Sequence, residues 1–330
     1  MKKQALDNKV EALEALRSAP HETAAAQLRK ALKDRNNWLV SKAAALAAAL
    51  ILQELIPDLL AAFDRFMLDP VKSDPQCWAK NAIAKALKDL GHHDPEVYLR
   101  GFAHVQLEPV WGGSADSAAT LRGTCALALV ECKLDDLTML THFAGGLADP
   151  EKTVRVDTAT AIAQLACPEG ALLLRLKALL GDAEPDVIGQ CFFSLLSLDT
   201  RDPVQFVGRF LNSKDQDIRL EAACALALSR DPQSIEKLRG FWKQRLSPEL
   251  RRAVLVSLGS STLAEAADFL LDIVADDPTE HAEQALTALA ASRFSANMRD
   301  RIASVVETKQ DPGLRQLFDQ RFHLPSELGP

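Results

Sequence analysis

At 330 residues the chain has room for one or two ordinary domains, or for one elongated array whose core grows with length. Apolar residues at 48% and charged residues at 25% exclude wholesale disorder and a membrane bundle, while aromatics at only 5% beside abundant Ala and Leu favour helices over strands. A formal net charge of -7 argues against general nucleic-acid binding, which needs a concentrated basic surface.

The N-terminal residues 1–10 open with Lys2 and Lys3 but lack the apolar centre of a signal peptide, and the apolar run 43–52 is too short to span a bilayer. A cytoplasmic protein is expected. Cys77, Cys125, Cys132, Cys167, Cys191 and Cys224 mostly sit in Ala/Leu-rich stretches without metal-site spacing, and are expected to be reduced, buried thiols.

Laying the chain against itself exposes a repeat. The apolar residue closing each Ala-rich stretch is Leu46, Leu87, Leu127, Ile162, Leu195, Leu226, Leu258 and Leu289, at intervals of 41, 40, 35, 33, 31, 32 and 31 by subtraction. One position earlier stand Ala45, Ala86, Ala126, Ala161, Ser194, Ala225, Ser257 and Ala288, small as a close helix crossing demands. Eight positions before the closure lie Trp38, Ala79, Ala119, Val154, Val187, Ile218, Leu250 and His281, mostly apolar, which completes a helical stripe. Asp74-Pro75, Asp149-Pro150, Asp182, Ser213, Ser247-Pro248 and Asp277-Pro278 mark the starts of these second helices, because Asp or Ser caps free N–H groups and Pro fits the first turn. Stretches 57–66, 171–180, 204–211, 235–242 and 264–274 supply the first helices, and no period-two pattern predicts a β-sheet. The expectation is an all-α, right-handed α-solenoid, a superhelix of about eight antiparallel helix pairs, forming one domain over 1–323. Its repeats are longer over 1–130 and regular over 131–307, with a capping helix over 312–322 and a flexible tail over 324–330.

Asp149-Pro150 followed by Val154-Arg155 and 159–162, Asp217-Ile218-Arg219 followed by 222–226, and Leu250-Arg251 together resemble the HEAT-repeat superfamily, in the short bacterial form of phycobiliprotein lyases. The resemblance spans nearly the whole chain and specifies architecture only. It implies a hydrogen-bonded ladder of Asp and Arg between neighbouring repeats, giving Asp149, Arg155, Arg219, Arg251 and Lys80 structural roles. Leu39, Thr120, Ile188 and Ala282 depart from that pattern, so the ladder is expected to be broken, chiefly in the N-terminal half.

Two surfaces are candidates for binding. In repeats four to eight the row Thr153 and Asp157, Asp186 and Gln190, Asp217 and Glu221, Glu249, then Glu280 and Gln284 lies beside the buried stripe of the second helix. Such helices line the inner curve of HEAT-like solenoids, so the resemblance implies an acidic concave surface suited to a basic peptide or helix. First-turn acids are also favoured by the helix dipole whatever the function. The N-terminal half instead carries Trp38, Trp78 and Trp111 with the connection Val110-Trp111-Gly112-Gly113-Ser114, and an aromatic anchor beside Lys42, Lys80, Asn81 and Arg122 would suit a peptide or flat ligand. The alternative is that Trp38 and Trp78 fill an irregular core while Trp111 pins its own loop.

His92-His93-Asp94 lies in a turn and lacks a second ligand pair, and His21-Glu22 lacks the second His of a zinc-protease helix, so no metal or other cofactor is expected. No nucleophile elbow or phosphate-binding loop is present. Three readings stay open: a non-enzymatic scaffold or adaptor for protein partners, a bilin-lyase-like or chaperone-like protein, and a HEAT-like DNA glycosylase using the tryptophans with Asp74 or Asp116. Charge disfavours the last.

Overall fold

Helix follows helix because Ala, Leu and long charged side chains dominate, and some helices end at a left-handed residue, Ala166 and Gln310 among them. The computed structural model describes residues 2–198 and 201–322, which fall into two compact units, 1–170 and 171–330. The predicted tail, 324–330, lies outside the described residues.

Unit one begins with the helix Lys2–Glu14 and continues as helix pairs. His21–Ala31 precedes Asn37–Ala49, Ile56–Met67 precedes Trp78–Asp89, Pro95–Phe102 precedes Ala119–Leu129, and Asp136–Gly146 precedes Lys152–Leu165. The second helices stack on one another in chain order. Close approach needs small residues: at Gly101 a Cβ would run into Cys125 Sγ, with Leu121 Cδ1 only 3.5 Å away.

In unit two the second helices are Pro185–Ser197, Gln216–Ala227, Pro248–Gly259 and Thr279–Ala291, again stacked in order. The predicted capping helix, Pro312–Arg321, packs on Thr279–Ala291 and follows Ser295–Lys309, forming a further helix pair. This is α-solenoid packing, in which each pair buries its faces only against its neighbours. No helix among the described residues is long and apolar enough to cross a membrane.

Two expectations are corrected. Repeat three contains a two-stranded antiparallel hairpin, β1 (Leu107–Val110) and β2 (Gly113–Asp116), paired Leu107 to Asp116 and Val110 to Gly113. Strands this short leave no alternation to detect, and the turn rests on Gly112 at φ +87°, which an L side chain rarely adopts.

The register also shifts in the first half. Ala45 is exposed and Leu127 only half-buried, so repeats one and three close on Ala47 and Leu129. Buried positions then fall at matching offsets: Ala79, Lys80, Ile83, Ala84, Ala86 and Leu87 in repeat two, and Leu121, Arg122, Cys125, Ala126, Ala128 and Leu129 in repeat three. Repeat four follows with Val154, Arg155, Thr158, Ala159, Ala161 and Ile162. In the corrected register Leu46 occupies the small-residue column of repeat one.

Candidate functional site

The register change restores the ladder in unit one. Asp74–Lys80, Asp116–Arg122 and Asp149–Arg155 recur with one spacing, each acid just before a second helix and each base in its first turns. Asp74 and Lys80 have fully buried side chains with Oδ2 and Nζ 3.1 Å apart. Asp74 also accepts from the backbone N of Ala79 and Lys80 and from Asn37 Nδ2 at 2.9, 3.0 and 2.9 Å. Arg122 donates Nη1 to Asp116 Oδ2 at 2.6 Å, and Nε and Nη2 to the two oxygens of Asp149 at 2.8 and 2.9 Å. Burial opposes its charge, but the two carboxylates outweigh this and raise its pKa. Arg155 donates to the carbonyls of Asp149 and Pro150.

Arg122 and Lys80 are therefore not partner-facing residues. Both are sealed inside the ladder, and a partner cannot reach a guanidinium that is 2% exposed. Asp74 and Asp116 are equally enclosed, which removes the carboxylates that a lesion-processing site would have used. In unit two no acid and base share a repeat at this spacing: Asp182 and Asp276 stand before Ile188 and Ala282, while Ser213 and Arg245 stand before Arg219 and Arg251, whose Cζ atoms lie 5.5 Å from the Phe241 and 4.7 Å from the Trp242 ring centres.

Trp38 and Trp78, from adjacent second helices, meet at the protein surface. Their ring centres are 4.9 Å apart at 61°, and they remain 37% and 43% exposed. Lys42 Nζ sits 4.4 Å from the Trp38 ring centre. Trp78 begins its helix directly after Gln76 and Cys77, two non-glycine residues at φ 60° and 56°. Left-handed residues of this kind cost about 1 kcal/mol or more each, and persist only where their surroundings fix them.

The hairpin does the fixing. Glu108 Oε1 accepts from Gln76 N at 2.6 Å, from Gln106 Nε2 at 2.6 Å and from Ser117 Oγ at 2.5 Å. Gln106 also donates Nε2 to Asp74 O at 2.8 Å and its backbone N to Asp116 Oδ1 at 2.9 Å. Burial works against ionisation of Glu108 and Asp116, but these hydrogen bonds, and Arg122 for Asp116, outweigh it and hold both carboxyls below their ordinary values. One network thus joins the ladder, the strained turn before Trp78 and the hairpin whose tip is Trp111. Trp111 is wholly exposed and pins nothing, while Leu107 and Val110 are also exposed. Along the same two second helices, Ala45, Ala48, Ala49, Ala82 and Ala86 floor a groove of about 280 Å³ flanked by Lys85 and Asp89.

The acidic row is uneven. Asp186, Asp217, Glu249 and Glu280 are exposed in first turns of unit-two helices. Gln190 Nε2 donates to Ser194 Oγ at 3.2 Å, and Glu221 is half-buried against Gly189, where a Cβ would meet its carboxylate. In unit one Asp157 is likewise half-buried against Gly123, and burial raises its pKa.

The remaining sequence signals resolve into local structure. Asp94 caps the helix after the His92-His93 turn by accepting from Glu96 N, and Tyr98 Oη donates to His92 O. All six cysteines are free thiols, five of them buried, and burial pushes Cys77 and Cys191 up to about 12 and Cys132 to about 11, so these three stay protonated at neutral pH. Leu172, Leu176 and Leu179 form an exposed stripe on the helix Gly170–Leu180.

Residues 204–290 match the family of HEAT repeats. No curated protein matches the chain. Among solved structures, an engineered protein is 17% identical, covering 95% of this chain and 90% of its own at a TM-score of 0.36. The complex of CpcE and CpcF of phycocyanin lyase from Nostoc sp. PCC7120 is 17% identical over 72% of this chain and 91% of that one, TM-score 0.38. Human deoxyhypusine hydroxylase is 17% identical over 87% and 90%, TM-score 0.29. At these TM-scores none of the three bears on site or activity.

Proposed function

We propose that this chain of helical repeats, with HEAT repeats over 204–290, is a non-enzymatic scaffold that binds a protein partner through the Trp38–Trp78 surface and the Trp111 hairpin of unit one. The observation that carries this reading is the edge-to-face, partly exposed pair Trp38 and Trp78, together with the wholly exposed Trp111 of the hairpin that braces the turn before Trp78. Trp111, left wholly in water, forgoes burial worth roughly 2 kcal/mol, Trp38 and Trp78 forgo part of theirs, and tryptophans are enriched among residues that dominate binding energy at protein interfaces. The strained turn before Trp78 supports the same reading, because a partner then meets a ring already held in place and loses less entropy on binding.

The test is a pull-down from native cytoplasm with the intact chain beside Trp38→Ala/Trp78→Ala. Partners captured by the intact chain and lost by a still-helical double variant support the reading. Equal capture by both removes this surface from consideration.

A further inference from the structure

Unit two holds a second, chemically distinct groove between Pro248–Gly259 and Thr279–Ala291. Its volume is about 630 Å³, within the range of sites that accept a ligand of several residues. Among its apolar lining residues Val256 is 60% exposed and Ala291 is also exposed, while Leu255 and Ala288 are core residues. Arg252 and Arg293 line the same groove. Both are exposed, and among the described residues neither lies within ion-pair distance of a carboxylate. Arg293 Cζ lies 5.9 Å from the Phe294 ring centre, a contact that leaves its N–H donors uncommitted, so the two exposed guanidiniums offer charge-assisted donors to a carboxylate in this groove.

The groove also contains acceptors. It opens where both second helices end, and although Val256, Ser257, Leu258 and Leu289 O there accept from Ser260, Ser261 and Ser292 N, a carbonyl oxygen has a second lone pair to offer. The approach is close: a Cβ at Gly259 would lie 2.9 Å from Ala288 O. Carbonyl ends repel a simple anion but accept from the N–H groups of a peptide backbone. Guanidinium donors, carbonyl acceptors and an apolar floor together fit a chain that carries carboxylates beside branched or aromatic side chains.

We infer that this groove binds an acidic, apolar-flanked peptide segment of a partner protein, its carboxylates on Arg252 and Arg293 and its apolar side chains on Val256 and Ala291. The site lies wholly in unit two, so it stands or falls separately from the tryptophan surface. The test is methyl NMR of the full chain titrated with a pool of acetylated, amidated hexapeptides alternating Glu or Asp with Leu or Phe. The matched Gln/Asn pool and octanoate serve as the other arms. Saturable shifts at Leu255 and Val256 with the acidic pool, weakened about tenfold in Arg252→Gln/Arg293→Gln, are expected, since two solvent-exposed ion pairs near the upper end of their usual range together supply about that factor. Retained helicity of the variant, read by circular dichroism, accompanies this result. The proposal is overturned if the acidic pool gives no saturable shift, if the amide pool or octanoate binds as well, or if the arginine variant binds unchanged.

Discussion

Arg122 Nη1 lies 2.6 Å from Asp116 Oδ2, so the second helix of repeat three is tied to the foot of the hairpin that precedes it. The same guanidinium holds Asp149 with its other nitrogens. Arg122→Ala leaves two acids without their base in a site where the arginine itself is 2% exposed, and removing one partner of a buried pair costs about 3–5 kcal/mol. Urea denaturation followed by circular dichroism should show a correspondingly lower midpoint; a loss under about 1 kcal/mol would mean the ladder is solvated.

The hairpin should be sensitive to acid. Glu108 and Asp116 have folded-state values below those of the unfolded chain, so their contribution to stability is complete above the ordinary carboxylate range. It disappears as pH falls through about 4 and below. Protection factors over 107–116, which remove the intrinsic slowing of amide exchange in acid, should therefore fall on acidification, and the stability gap between the intact chain and Glu108→Gln should narrow. A gap that widens toward low pH would reverse the assignment.

Asp157 behaves oppositely. Burial against Gly123 raises its folded-state pKa, so ionisation of this carboxyl disfavours the fold as pH rises through the carboxylate range. Asp157→Asn should raise the urea midpoint at neutral pH, and the gain should vanish on acidification. A lower midpoint at neutral pH would show that the carboxylate has a stabilising partner.

Ala161 and Ala225 are fully buried where second helices cross. Leu at either position should overpack the crossing and cost about 1–3 kcal/mol. Ala45, exposed in the corrected register, should accept Leu with a change within about 0.5 kcal/mol. Equal effects at all three positions would mean that the register is still misread.

The helix pairs were legible because closures such as Ile162, Leu195 and Leu226 sit on stripes interrupted by polar residues. In Asn37–Ala49 almost every position after Lys42 is Ala or Leu, so periodicity cannot set the phase, and the phase slipped by one. Repeat three slipped because Arg122, a core position, reads as a surface residue until its spacing from Asp116 is set beside Asp74–Lys80 and Asp149–Arg155. That spacing was the missed signal. The tryptophans were legible as candidates, but their exposure depends on how two helices stack, which no single helix records. The Arg252–Arg293 groove was invisible for the same reason, since its two arginines come from different elements.

The central claim is that the Trp38–Trp78 surface and its hairpin receive the partner. Hydrogen–deuterium exchange of the intact chain with and without its captured partner tests this directly. The account predicts protection over 37–49, 78–89 and 107–116. Protection confined to the acidic first turns around Asp186, Asp217 and Glu249, with the tryptophan helices unchanged, would contradict it.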